Sequence, residues 1–259
     1  FIIKSIFYNK NIFLKFFYYI ILYNKKITLI TGATKGIGKT IAEGLLNNNH
    51  KIINISKSGI IPELFLNKDF ISYKSDISDI DYTHNLVSSI VKEYKINNII
   101  LNAGITKDIF FHKMKKDEWK NVIDTNLTSI YGILHPIINQ MRLNNEGNII
   151  FISSVNAHRP VMGQTNYSSS KNGIIAFSRC IALENSNKNI KCNVISPGYI
   201  ETEMTEKINE TIKNKIIDDI PLKRFGNPSE ILDVVNLLLS ENNYFQGANI
   251  DINGGLFIR

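Results

Sequence analysis

A single α/β domain is the fold the sequence predicts: a doubly wound parallel sheet of about seven strands with helices on both faces. Three observations predict it. From residue 25 onward, short apolar runs rich in isoleucine alternate with longer amphipathic stretches, and strand–helix alternation of this kind builds a parallel sheet. The short runs are continuously apolar rather than alternating, as strands covered on both faces should be. No Pro/Gly/Ser-rich linker and no repeat divides the 259 residues, a length that suits one domain.

The elements follow in order. Residues 26–31 form the first apolar strand, and a glycine-rich turn ends it before an amphipathic helix over 39–47. Strands at 51–55 and 70–74 come next, joined by a compact stretch, 58–69, in which Pro62 leaves room for a short helix at most. Helix 81–93 leads to a strand at 98–101, and a long helix is predicted over 117–141. Strand 148–153, helix 167–184 and strand 190–195 follow. Pro228 and Ser229 open a late helix over 229–239, since proline fits the first turn of a helix. Residues 249–252 supply the last strand.

Residues 1–24 stand apart. They carry no initiator Met, and the apolar run at 11–23 is too short to span a bilayer and is interrupted by Lys15. They read as an extension introduced upstream of the gene, an organelle-targeting leader, or a membrane-surface anchor; the first is favoured, and fold reasoning starts at residue 25. Membrane contact is expected only if the segment is genuine. The net charge of +7 comes mainly from scattered lysines, with arginine confined to Arg142, Arg159, Arg179, Arg224 and Arg259. Without a basic stripe and interleaved aromatics, nucleic-acid binding is not expected. The surplus of Asn, Lys and Ile reads as base-composition drift, with Asn and Lys collecting at the surface. Cys180 and Cys192 have no metal-type spacing and read as reduced core residues, which points to a cytoplasmic protein, or an imported one if 1–24 is a leader. No metal site is expected.

The chemistry begins after the first strand, at Gly32-Ala33-Thr34-Lys35-Gly36-Ile37-Gly38. A strand–glycine turn–helix is where a parallel α/β sheet binds a pyrophosphate: Gly32 allows the turn, Gly36 lets the backbone approach the ligand, and Gly38 permits close packing. The helix N-terminus adds unpaired N–H groups and a positive dipole end. The second strand ends Asn54-Ile55-Ser56-Lys57, without the carboxylate that usually holds the ribose 2′-hydroxyl of NAD. Lys35 and Lys57 suit a 2′-phosphate instead, so NADPH is the expected cofactor.

Tyr167 and Lys171 are four residues apart at the start of a helix, hence on one face. Ser154 follows the strand at 148–153, at the sheet end where ligands sit. A ketone reduction needs hydride at carbon and a proton at oxygen. A free phenol near pKa ~10 is a poor donor, and a neighbouring lysine ammonium is expected to lower it. Ser154 is expected to stabilise charge on the substrate oxygen.

The glycine spacing G-x-x-x-G-x-G, with the Ser154–Tyr167–Lys171 set behind it, resembles the short-chain dehydrogenase/reductase family over essentially residues 25–259, a family with the Rossmann fold. That resemblance implies further roles. Asn102-Ala103-Gly104 resembles the element beside the cofactor, and Asp76 with Ile77 the adenine contact. Pro197, Gly198, Ile200 and Thr202 resemble the loop that holds nicotinamide and pyrophosphate. Lys171 is implied to bond the nicotinamide ribose, with Tyr167 beside it, and Asn126 to hold a water that completes a proton relay.

Segments at 103–108, 122–129, 163–167, 196–205 and 220–226, with Asn253-Gly254-Gly255, resemble the family branch that reduces 3-oxoacyl thioesters. The branch includes 3-oxoacyl-acyl-carrier-protein reductases of fatty-acid synthesis and acetoacetyl-CoA reductases. The carrier-protein reaction is favoured, with basic residues such as Arg142, Arg159 and Lys188 expected around the cleft to meet an acidic carrier. A generic ketone reductase is the further alternative. His158-Arg159-Pro160 departs from the expected small substrate loop and is expected to narrow the acyl pocket. A homotetramer is implied, assembled through the helices over 117–141 and 167–184 and through the apolar end Leu256-Phe257-Ile258.

Overall fold

The computed structural model describes residues 25–59, 64 and 66–258. The apolar run at 11–23 and Pro62 lie outside the described residues. The strands are β1 (Ile27–Thr31), β2 (Lys51–Ser56), β3 (Phe70–Lys74), β4 (Asn98–Leu101), β5 (Gly147–Ile152), β6 (Ile190–Pro197) and β7 (Asn249–Ile252). All neighbours pair parallel, in the order β3-β2-β1-β4-β5-β6-β7. The helices are α1 (Gly36–Asn47), α2 (Ile80–Glu93), α3 (Lys116–Ile123), α4 (Ser129–Asn144), α5 (Thr165–Asn185), α6 (Glu203–Glu206), α7 (Glu210–Asp219) and α8 (Pro228–Leu239).

Both sheet faces are buried, which is why the strands are apolar without alternation. Leu29, Ile53, Ile99, Ile149, Phe151 and Val194 point to a core completed by Val87 and Ile90 of α2, Ile133 and Ile137 of α4, and Ile174 of α5. Their chain neighbours Ile30, Ile52, Ile100, Ile150 and Ile195 point the other way, onto Ile41 and Leu45 of α1 and Ile231 and Val235 of α8. Each fully buried isoleucine contributes about 1.5–3 kcal/mol from apolar surface removed from water. A third cluster, Val155, Ile220, Phe225 and Leu256, joins α7 to the turn after β5.

The predicted strands and helices are all present within a few residues. The predicted helix over 117–141 is three pieces: α3, a π-helical turn Asp124–Thr128, and α4. Asn126, described below, sits in that turn. The short helices α6 and α7 lie outside the elements expected from sequence. Cys192 is buried as expected, but Cys180 is exposed. On α5, Ile174, Ser178 and Ala182 define the buried face, and Cys180 falls about 200° from Ser178 around the axis. Leu256, expected at an interface between copies, packs in the third cluster of its own chain, while Ile258 is exposed. Among the described residues no helix is long and apolar enough to cross a membrane.

The chain runs outward from β1 to β3, then returns to lay β4 on the other side of β1. That reversal opens a crevice at the carboxyl ends of β1 and β4, the position where such sheets hold ligands.

Candidate active site

The glycine turn caps β1. Gly32 and Gly36 have φ of +71° and +54°, a region costly for residues with a Cβ. A Cβ on Gly38 would lie 2.3 Å from Gly32 O and 2.5 Å from Asn102 Nδ2, so α1 closes on the turn only with glycine there. Thr34 and Lys35 form the tip, with Lys35 exposed, and Gly36, Ile37 and Gly38 make the first helical turn.

Buried polar side chains hold the turn in place. Asn102 Nδ2 donates to Thr31 O and Gly32 O, each at 3.1 Å. Thr31 Oγ1 accepts from Asn102 N and Ala103 N. Asn54 Oδ1 accepts from Ala33 N at 3.0 Å, while its Nδ2 donates to Ser56 Oγ and Ser72 Oγ. Sequence reasoning assigned Thr31 and Asn54 no part. Their signal was available: a hydroxyl and an amide inside otherwise apolar strands, each needing partners when buried.

From the far side, Gly198 N donates to Ile252 O. Ile200 is buried, and Pro197 ends β6. Thr202, fixed by Thr205 Oγ1 on its backbone N–H, brings its Cγ2 to 3.3 Å from an ideal Cβ on Gly36. The turn is thus a cradle that one added methyl would begin to fill.

At the ends of β2 and β3, Ser56 is buried, Ile77 is buried, and Lys57 Nζ donates to Asp76 Oδ2 at 2.7 Å. The bonds from Lys57 and Ser78 hold the Asp76 carboxyl below its ordinary range. The lysine expected to meet a 2′-phosphate therefore carries a carboxylate partner here, although its side chain is 82% exposed and free to turn.

Ser154, Tyr167 and Lys171 converge beside this turn. Ser153 Oγ donates to Lys171 O at 2.8 Å and Lys171 Nζ donates to Ile152 O at 2.8 Å, pinning α5 to the end of β5. Lys171 is 4% exposed, and burial of its ammonium lowers its pKa to about 8. Its Nζ lies 5.8 Å from the centroid of the Tyr167 ring. Ser154 hydrogen-bonds the phenol.

The expectation that Lys171 lowers the Tyr167 pKa is not met. Burial raises it, the Ser154 hydrogen bond opposes that rise, and the Asp108 charge adds to it. The reason is geometric: the ammonium is turned to Ile152 O instead of to the phenol.

Asn126 sits in the π-helical turn, 2% exposed. Its Oδ1 accepts from Ile105 N at 2.8 Å, and its Nδ2 donates to Ile105 O and Ser170 Oγ, each at 3.0 Å. The turn's irregular register presents this amide to the backbone after Gly104; π-bulges often occur where a side chain has such a task. An ideal Cβ on Gly104 would lie 3.2 Å from Lys171 Nζ and 3.3 Å from Asn126 Oδ1, so both groups flank one position.

Two of the three expected rim cations are elsewhere. Arg142 bonds Glu184 O and Asn185 Oδ1 at the C-terminal end of α5, and with Lys188 it lines a pocket near the amino ends of β5 and β6. Strand ends opposite Ser154 put both out of reach of the site of their own chain. Arg159 stays on the site side, paired with Asp219 at 3.1 Å. The His158 ring stacks on Phe257, with centroids 5.2 Å apart, and its Nε2 lies 2.9 Å from Asn249 Nδ2.

Residues 26–213 match a family model described as short chain dehydrogenase. The chain is 37% identical over 241 residues to the 3-oxoacyl-[acyl-carrier-protein] reductase FabG of Buchnera aphidicola subsp. Acyrthosiphon pisum, covering 91% of this chain and 98% of that protein. It is 36% identical over 244 residues to an acetoacetyl-CoA reductase of Acinetobacter, and 35% identical over 241 residues to that of Cupriavidus necator. Each of those two matches covers 90% of this chain and 98% of the relative.

Proposed function

The chain belongs to the short-chain dehydrogenase family, and from that premise we propose that it reduces 3-oxoacyl thioesters to 3-hydroxyacyl thioesters with NADPH, the acyl group being presented on an acyl carrier protein. The observation that carries the reading is the convergence of Ser154, Tyr167 and Lys171 beside the glycine turn. The cradle around Gly32, Gly36 and Gly38 fits a dinucleotide, and the absence of a carboxylate at the end of β2 favours a 2′-phosphate over a free hydroxyl there.

When bound, the nicotinamide supplies the hydride. Gly32, Thr34, Lys35, Gly36, Ile37 and Gly38 would hold the pyrophosphate side, with Lys35, Ser56 and Lys57 at the 2′-phosphate and Asp76 and Ile77 at the adenine. Asn102, Ala103 and Gly104 line the sheet end, while Pro197, Gly198, Ile200 and Thr202 cover the nicotinamide end. Tyr167 donates its phenolic proton to the ketone oxygen, and Ser154 hydrogen-bonds that oxygen as its charge develops. Lys171, here bonded to Ile152 O, would bond the ribose and replenish the phenol's proton. Asn126 fixes the turn at Ile105, and its Oδ1 beside Gly104 marks the side from which the replacement proton would enter.

Acetoacetyl-CoA is the second reading. Relatives named for it are as similar to this chain as those named for the carrier-protein reaction, and only Arg159 of the three rim cations is near the site. Parallel assays of NADPH oxidation with acetoacetyl-CoA and acetoacetyl-acyl carrier protein decide: the carrier ester is expected to give the higher kcat/KM. A preference for CoA reverses the choice of carrier, and inactivity on both leaves a generic ketone reductase. In the same assay Tyr167→Phe should bind NADPH normally and lose most turnover. A homotetramer belongs to this reading, supported by exposed Tyr131, Leu143 and Leu183 on α4 and α5; light scattering at micromolar concentration tests it.

A further inference from the structure

We propose that Asp108, acting through Gln164 and Asn156, is a positioning residue that holds the turn presenting the Ser154 hydroxyl. The inference rests on the reductase reading above and adds to it three residues given no role there.

The connection is a chain of hydrogen bonds that fixes the Asn156 side chain and, through its backbone, the turn at Ser154. Gln164 Nε2 donates to Asp108 Oδ2 at 2.8 Å. Asn156 Nδ2 donates to Gln164 Oε1 at 2.8 Å. Asn156 N donates to Ser154 Oγ at 3.1 Å. Direction is imposed from the outer end. An ionised carboxylate only accepts, so Gln164 must turn its amide nitrogen outward and its oxygen inward. That oxygen only accepts in turn, so Asn156 must present Nδ2. Neither amide can flip without setting two acceptors, or two donors, against each other.

Asn156 is held as firmly on its backbone side. It is buried within the 3-10 turn Val155–Ala157, which is closed by Ala157 N to Ser154 O and His158 N to Val155 O. Asn172 Nδ2 ties Ala157 O to α5. The Asn156 N–H therefore occupies an acceptor direction of Ser154 Oγ. The Ser154 hydroxyl, whose oxygen accepts that N–H, keeps its single proton to donate elsewhere.

Charge acts in the same sense. Facing the phenol are Lys171 from α5, Ser154 from the end of β5, Asp108 from the segment after β4, and Tyr199 from the segment after β6; Arg159 and Asp219 face Tyr199 in turn. Asp108 disfavours the phenolate and so keeps Tyr167 a proton donor.

The test uses Gln164→Leu, which breaks the chain but keeps the Asp108 charge, together with Asp108→Leu and Asp108→Glu. Each is assayed with the thioesters and with ethyl acetoacetate, after a thermal melt shows it folded. Gln164→Leu and Asp108→Leu should lower kcat about tenfold, a partial loss of an oxyanion donor, with KM for substrate and NADPH within about twofold. Asp108→Glu, still an acceptor-only group, should recover most of the rate. In the oxidative direction, where Tyr167 must accept a proton, Gln164→Leu should move the rising limb of the pH profile upward, because the phenolate loses the Ser154 hydrogen bond. Unchanged kcat, a loss carried by KM alone, or an unmoved limb overturns the inference while the reductase reading stands. A wild-type protein inert towards every ketone overturns both.

Discussion

Lys171 carries the largest electrostatic burden of any residue near the site. Its ammonium is buried with one backbone carbonyl as partner, and burial brings its pKa down to about 8. The phenol of Tyr167 is pushed the other way. Across neutral to mildly alkaline pH, then, the lysine titrates first. Reduction needs it charged, so kcat/KM for the ketone should fall as pH rises through about 8, a limb that a stopped-flow pH series reads directly. The same burial affects stability. Between about 8 and the ordinary lysine value the unfolded chain binds a proton that the folded chain does not, so native stability rises with pH across that window. Below it the full penalty is present. Lys171→Met should therefore abolish turnover yet stabilise the fold at pH 7, by up to about 3 kcal/mol, with the advantage shrinking as pH climbs beyond 8. Urea denaturation of both proteins at pH 7 and 9 checks the sign. None of this was legible in the sequence, which gives the lysine's spacing from Tyr167 but not which carbonyl it finds.

Among the elements, β1 with its glycine turn and α1 was the most legible, because chemistry and geometry ask for the same residues there. Gly38→Ala should show this. Its methyl would meet Gly32 O at 2.3 Å and Asn102 Nδ2 at 2.5 Å, and backbone on one side cannot retreat. NADPH binding by fluorescence titration should be lost, and the melting temperature should drop by an amount equivalent to about 1–3 kcal/mol of overpacking strain. The strands were legible because two-sided burial leaves only apolar runs. The π-helical turn was not, since its register is set by where Asn126 finds Ile105 and Ser170, contacts made across the fold and not along it. Helix α6 escaped because a single turn carries no periodicity, and α7 because its ten residues include no fully buried one. Asparagine itself misled. Its surplus reads as surface drift, yet Asn54, Asn98, Asn126, Asn166 and Asn193 are buried and bonded, and Asn49, Asn145 and Asn189 take the left-handed conformation that ends a helix or turn.

For the whole molecule, the decisive feature is that the segment sealing the glycine turn comes from the opposite half of the sheet. Thr202 rests over Gly36, and the same stretch of chain continues through α7 to Ile220 just beyond it, which packs with Val155, next to Ser154. One piece of backbone thus touches both the cradle and the turn that carries Ser154. Kinetic order follows. The segment that rests on Gly36 is tied to the turn carrying Ser154, so dinucleotide and thioester binding are expected to be coupled, with the dinucleotide entering first and leaving last. Product-inhibition patterns should show NADP⁺ competing with NADPH alone, and the hydroxyacyl product competing with neither substrate in simple fashion. In a fold built to bury two sheet faces, the path of one late loop is thus expected to set the sequence of its traffic.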